Sequence, residues 1–142
     1  MKKEQFDFIH RIRMHWLLRN IVFGKDVLDF IACQFALESN FGTSRLASIN
    51  HNYCGMKIPS RRVTYRDGQD GVFSTYACLD DCVKDYVSWL LYNRPNQMQL
   101  TYLDSFMIFL RDSGYCPETG YVDRINKVYN DLKTYQNEFK KC

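Results

Sequence analysis

Apolar residues recur at helical spacing along most of the chain, with one break in the middle where the period changes. Val27, Leu28, Phe30, Ile31, Cys33, Phe35, Ala36 and Leu37 make a strongly apolar run, which predicts a mostly buried helix with Asp26 as its N-cap. Before it, residues 3 to 19 predict a first helix that packs through Phe6, Ile9, Ile12 and Trp16, and residues 20 to 25 form the turn between the two. After it, Thr43 or Ser44 caps a short helix running to about Ile49. From Asn50 to Tyr76 the punctuation is Gly55, Pro59, Gly68 and Gly71. The β-formers there fall in two groups, Val63 to Tyr65 and Val72 to Tyr76, with Asp67-Gly68 and Asp70-Gly71 between them, so a hairpin is predicted.

Helical spacing then resumes. Leu79 to Asn93 predicts a helix with Asp80 and Asp81 in its first turn and Val83, Tyr86, Val87, Leu90 and Leu91 on its buried face, ended by Pro95. Thr101 and Asp104 resemble a capping box for a helix through about Arg111, with Gly114 as its C′ residue. Residues 121 to 137 predict the last helix, on Val122, Ile125, Val128, Tyr129 and Leu132. With no repeat, low-complexity tract or linker, residues 1–142 read as one domain. It is mainly helical, with a small β-lobe at about residues 56–76 and a cleft between the two parts as the default binding site.

Composition narrows the function. A chain of 142 residues buries about two-thirds of its unfolded surface and needs no metal or disulfide to fold. Ten Tyr, ten Phe and two Trp are enough to line a recognition surface as well as a core, and sugars stack on such rings. A net charge of +3 is too small for a dedicated nucleic-acid binder, yet it suits work beside an anionic polymer. No apolar stretch approaches the ~18 residues of a membrane span. Met1-Lys2-Lys3 leads into Glu4 and Asp7 instead of a signal-peptide apolar segment. The six cysteines contain no C-x-x-C pair and read as free thiols. Neither a metal site, with Cys78 and Cys82 the nearest approach to one, nor a phosphate-cradling glycine motif is predicted, and so no cofactor.

Candidate chemistry centres on Glu38. It sits on the last turn of the apolar helix, where Asn40 and Gly42 tolerate the left-handed backbone that stops a helix. The negative helix end and the apolar Phe41 both disfavour ionisation, which raises the carboxyl pKa toward that of a general acid. A solvated glutamate at a helix end is the bland alternative, and the surrounding residues decide between them. Asn52 and Tyr53 follow where a loop would line the cleft, whereas His51, between two asparagines, reads as a surface residue.

These residues resemble a known family. ALESNFGTSRLA at residues 36 to 47, followed by NHNYCGMK at 50 to 57, is similar to the AALESGWGTSxLA and NNLFGIK pattern of bacterial and phage glucosaminidases of the FlgJ and autolysin type, glycoside hydrolase family 73. Phe73 to Tyr76 with Asp81 to Tyr86 looks like that family's FRxY and following S(I/L)xDY segment, and Tyr115 to Tyr121 has the spacing of its YATDPxY segment. The resemblance implies a lysozyme-like α+β fold. It also implies hydrolysis of the β-1,4 bond after N-acetylglucosamine in a peptidoglycan glycan strand, with Glu38 as catalytic acid and Tyr115 near it. Tyr76 and Tyr121, with Asn52, Tyr53 and Phe41, are then the substrate-binding candidates. The expected place of action is the bacterial cell wall, periplasmic or extracellular, by a monomer without nucleic acid or a membrane span.

One departure stands out. The family usually carries a second carboxylate in the β-lobe, commonly Glu, but this chain has no Glu between Glu38 and Glu118, and Asp67 and Asp70 are the acidic residues of the lobe. Glycosidases ordinarily use two carboxylates, so Asp67 is the second catalytic candidate. Without it, the substrate's acetamido group would have to serve. The alternatives are a lytic transglycosylase or a degenerate glycan-binding or structural module.

Overall fold

The computed structural model describes residues 1–94 and 100–140; Pro95 and Cys142 lie outside them. The predicted first helix is two, α1 (Lys3–Arg13) and α2 (Trp16–Arg19). His15 breaks it. Its backbone is extended, its Nδ1 accepts the Leu17 N–H at 3.2 Å, and its Nε2 meets Asp80 Oδ1 at 2.7 Å, which ties α2 to a distant element. The redirected chain buries Leu18 and leaves Trp16 55% exposed, so the tryptophan is not the packing residue its spacing suggests.

The apolar run forms α3 (Lys25–Ser39), with Phe30, Ile31, Ala32, Cys33, Phe35 and Ala36 all at zero exposure. Its N-cap is Gly24, not Asp26, which falls in the first turn. The reason is crowding. The Gly24 N–H donates to the Leu100 carbonyl at 2.8 Å, and any Cβ on Gly24 would overlap the Thr101 carbonyl. Helix α4 (Arg45–Ser48) is capped by Ser44, whose hydroxyl accepts the Ala47 N–H at 3.2 Å.

The hairpin is shorter than predicted and its first strand lies further along the chain, while Met56 to Ile58 joins the lobe by backbone bonds of 3.0 Å from the Ser74 N–H to the Met56 carbonyl and from the Ile58 N–H to the Val72 carbonyl. Strands β1 (Gly68–Asp70) and β2 (Phe73–Thr75) pair antiparallel, Asp70 opposite Phe73, across the two-residue turn Gly71-Val72. Gly71 takes φ +60°, as the first central position of a primed hairpin turn requires. Val63 to Tyr65 is not a strand. That segment is held instead by α5 (Leu79–Asn93): Asp85 Oδ1 accepts from Arg62 Nη1 at 2.6 Å and from the Tyr65 N–H at 3.2 Å, and Ser88 Oγ donates to the Val63 carbonyl at 2.6 Å. Backbone groups engaged by a helix's side chains are not free for a sheet. Of the predicted buried face of α5, Leu91 is 48% exposed.

Helix α6 (Leu103–Asp112) starts after Tyr102 with no side-chain cap, so the Thr101 and Asp104 capping box does not form. Gly114 follows it at φ +73°, in the left-handed position that ends helices. Helix α7 (Tyr121–Lys140) runs slightly beyond its predicted end. Helices α1, α6 and α7 all pack on α3, which makes α3 the central element of a mostly helical α+β fold. Its C-terminal end faces the loop that leads into the lobe.

Candidate active site

Helix α3 stops in a Schellman motif. Asn40 takes φ +47° and ψ +56°, the Phe41 N–H reaches back to the Ala36 carbonyl at 2.8 Å, and the Asn40 N–H points to the Leu37 carbonyl at 3.5 Å. Phe41 and Gly42 are also left-handed, at φ +56° and +81°. Three successive residues of this kind swing the chain off the helix axis and leave Glu38 half-buried on the final turn. Ser39 closes the corner, its hydroxyl donating to the Phe35 carbonyl at 2.7 Å and accepting the Gly42 N–H at 2.8 Å.

The carboxylate is packed against Gly55. A Cβ built on Gly55 would lie 2.5 Å from Glu38 Oε2, and Gly55 is itself at φ +68°. The loop from Asn52 to Met56 is held tightly for this contact. The Asn52 amide donates to the Met56 and Ser74 carbonyls at 2.9 and 2.8 Å, while its oxygen accepts the Cys54 and Met56 N–H groups at 3.3 and 3.1 Å. The Tyr115 hydroxyl donates to the Cys54 carbonyl.

A line of polar groups runs from the core to Glu38. The Tyr86 hydroxyl donates to Gln34 Oε1 at 2.6 Å, Gln34 Nε2 donates to the Tyr121 hydroxyl at 3.0 Å, and Tyr121 lies close enough to Glu38 to act on its carboxyl. Burial is the main influence on Glu38 and raises its pKa above the ordinary 4.5; Glu118 adds to this, while Tyr121, Arg124 and Lys57 oppose it. The direction matches expectation, but the leading cause is desolvation. The reciprocal effect pushes the Tyr121 hydroxyl upward, first through its own burial and then through the nearby carboxylate. Tyr121 is therefore a fixed donor at neutral pH.

The remaining candidates fall in two groups. Tyr115 and Tyr121 come together with Glu38, their rings stacked with centroids 6.1 Å apart and planes 11° apart, and Trp89 meets Tyr115 edge-on at 4.7 Å. Tyr115, Gly55, Lys57 and Trp89 also line a cavity of about 190 Å³ beside the carboxylate. By contrast, Asn52 does not face a cleft: it is 1% exposed with its amide fully engaged, so it braces the loop instead of meeting a sugar. Tyr53 packs its ring near Phe8 and His51, and Tyr76 is 2% exposed with its hydroxyl donated to Asp85. Phe41 is half-buried at the helix cap. Asp67 is exposed at the base of β1, where it accepts the Thr75 hydroxyl at 2.7 Å, and Asp70 accepts from Asn50 Nδ2 at 2.9 Å. Neither is among the groups that bear most on Glu38.

Sequence reasoning passed over Gln34 and the Arg62–Asp85 pair. Gln34 had a usable signal, an amide inside an apolar run exactly one helical turn's spacing of four residues before Glu38 and so on the same face. Arg62 and Asp85 meet at 2.6 Å with side chains 5% and 0% exposed, and nothing local in the sequence couples them. Among the described residues no group of three or more His, Cys, Asp or Glu side chains is placed to hold a metal.

Residues 24–134 match the glucosaminidase family, whose description is mannosyl-glycoprotein endo-beta-N-acetylglucosaminidase. The chain belongs to the glucosaminidase family. Two solved structures share its fold. One is a type VI secretion system effector–immunity complex from Pseudomonas protegens, at 15% identity, TM-score 0.69 and 94% coverage of both chains. The other is the catalytic domain of the autolysin Auto from Listeria monocytogenes, at 20% identity and TM-score 0.62, covering 96% of this chain and 88% of that one. No curated protein matches the sequence. The glucosaminidase region contains Glu38, Gly55, Tyr115 and Tyr121, and the lysozyme-like architecture expected from the motifs is the one these neighbours share. The family is one of glycoside hydrolases, and membership supports a glycosidase acting on peptidoglycan.

Proposed function

We propose that this glucosaminidase-family chain, acting as one domain, cleaves the β-1,4 bond after N-acetylglucosamine in peptidoglycan, with Glu38 as general acid. The observation that carries the reading is Glu38 itself. A carboxyl on a rigid helix end, raised in pKa by burial and packed against Gly55, itself a lining residue of a cavity, holds a proton that a departing sugar oxygen needs. Tyr121 lies beside the carboxyl and opposes the rise in its pKa, and Tyr115 holds the Gly55 loop in place behind it.

In this reading Asp67 is the second carboxylate, carried to the sugar's opposite face when the lobe closes on substrate. Phe41 and the Trp89–Tyr115 wall supply apolar surface for the sugar rings. A second arrangement is favoured by one observation: Glu118, on the α6–α7 loop, acts electrostatically on Glu38 and pairs with Arg124 at 2.8 Å, so the partner carboxylate could come from that side. The substrate is a glycan strand at the cell wall, met by a monomer.

The experiment is wall digestion with product masses. Purified protein should clear peptidoglycan suspensions and leave reducing N-acetylglucosamine ends that have gained water. Glu38→Gln should lower the rate by roughly 10²–10⁴-fold while keeping the native circular dichroism spectrum. Equal lysis by the variant sinks the assignment of Glu38. Anhydro products would identify a lytic transglycosylase, and glycan binding without any cleavage would identify a module that has lost turnover.

A further inference from the structure

Two thiols that the proposed chemistry does not use meet directly behind the Glu38 loop. Cys54 Sγ lies 3.6 Å from Cys82 Sγ, and both residues are fully buried. They come from separate elements, Cys54 from the Asn52–Met56 loop and Cys82 from the first turn of α5, 28 residues apart in sequence. The Tyr53 N–H points at Cys82 Sγ at 3.3 Å, which fixes the second sulfur against the backbone that carries the first. Cys54 immediately precedes Gly55, the residue in contact with the Glu38 carboxylate, and its carbonyl receives the Tyr115 hydroxyl.

Packing as two small apolar side chains would account for burial. It does not require sulfur to face sulfur across two elements. We propose that Cys54 and Cys82 form an oxidation site: a small-molecule disulfide or a thiol–disulfide oxidoreductase converts them to a disulfide that fastens the Glu38-facing loop to α5. The thiolate of one cysteine attacks the oxidant's disulfide, releasing one oxidant thiolate and leaving a mixed disulfide. The second cysteine, on losing its proton, attacks the protein sulfur of that intermediate, closes the Cys54–Cys82 bond and expels the other oxidant thiolate. Two electrons and two protons leave the protein, and the oxidant disulfide is reduced to two thiols.

Closure needs only a modest approach of the sulfurs, from contact to the bonded distance of about 2.0 Å. Burial pushes the Cys54 thiol up and closes both sulfurs off from an oxidant, so the bond forms while the chain folds or when the loop opens. The site would be reduced in a reducing compartment and oxidised outside it, where the disulfide ties down a loop of 28 residues.

The test does not depend on sugar cleavage, since it reads mass and melting and not lysis. The full chain is refolded from the reduced state in a buffer of oxidised and reduced glutathione, quenched by alkylation under denaturing conditions and digested. The expected results are an intact mass short by two hydrogens, a peptide pair joined at Cys54 and Cys82, and a Tm higher by roughly 10 °C than the same sample in dithiothreitol. Cys82→Ala should abolish all three. If that variant fails to fold, the wild-type peptide map and the two melting curves still decide. Both thiols alkylated after equilibration with excess oxidised glutathione, a bond to another cysteine, or a bond with no change in Tm would each overturn the proposal.

Discussion

Gly55→Ala separates the geometry of Glu38 from the stability of the fold. Two effects meet at this position. At φ +68° a non-glycine residue carries the left-handed penalty, about 1–2 kcal/mol. In addition, the new methyl would sit 2.5 Å from Glu38 Oε2 and 3.0 Å from its Cδ, where ordinary contact begins at 3.4 Å. The carboxyl must retreat by the difference, 3.4 − 2.5 = 0.9 Å, or the loop must move by as much. A glutamate terminus can swing aside at little cost to folding, so stability should fall by the backbone penalty and not much more. If the displaced group is the catalytic acid, however, misplacement by about 1 Å costs on the order of a hundredfold in rate. Gly71→Ala is the matched control, because Gly71 is at φ +60°, outside the cavity lining, with nothing within 4 Å of its Cβ position. Both variants should lose similar stability by urea unfolding, and only Gly55→Ala should lose wall-clearing activity. Activities within threefold of each other would refute the argument that the carboxyl beside Gly55 performs the chemistry.

Three further outcomes follow from charge and burial. Because Glu38 has a raised pKa when folded, the native state binds more protons than the unfolded chain between the ordinary 4.5 and the raised value; stability therefore falls as pH rises through that window and is level above it. Glu38→Gln, a neutral mimic of the protonated group, should melt above wild type at neutral pH and converge with it below pH 4.5, and a constant difference across pH would contradict a buried, shifted carboxyl. Asp85→Ala should cost about 3–5 kcal/mol in denaturant unfolding, since it strands a buried guanidinium, whereas Arg62→Met with Asp85→Leu should recover only the charge part of the loss, because the Tyr65 N–H and the Tyr76 hydroxyl stay without their acceptor; a cost under about 1 kcal/mol for the single variant would mean the pair does not anchor the lobe. Asp67→Asn should lose on the order of a hundredfold in hydrolysis with Glu118→Gln near wild type, and the reverse order would move the second carboxylate to the α6–α7 loop.

Wherever hydrophobic spacing and helix punctuation act locally, the sequence predicted the fold well. The buried α3 helix, its stop at Asn40 and Gly42, the full span of α5 and the start of α7 all follow from residues within a few positions of each other. The misreadings share a different cause. His15 breaks the first helix by reaching Asp80, Gly24 replaces Asp26 as cap because Thr101 crowds it, and Val63 to Tyr65 leaves the sheet because Asp85 and Ser88 claim its backbone. In each case a partner from a distant part of the sequence outcompetes a sound local preference, and a periodicity argument contains no term for such a partner.

The same distinction governs the site. The placement of Glu38 was readable because it depends on where a helix ends, and helix ends are written in adjacent residues. The tyrosines were readable as types and spacings, but not which of them would lie near the carboxyl: Tyr121 does, its hydroxyl held by Gln34, while Tyr76 spends its hydroxyl on Asp85. Asn52 shows the limit most clearly. A polar residue in the loop after the Glu38 helix suggests a ligand contact, yet its two donors and its acceptor are all consumed by the backbone of Cys54, Met56 and Ser74. A buried amide that is fully bonded has nothing left to offer a sugar, and its removal would leave several backbone groups unpaired. Asn52 therefore belongs to the candidate site as the brace that presents Gly55 to Glu38, and the surroundings of that carboxyl depend on a residue whose own polar groups are all turned to the backbone.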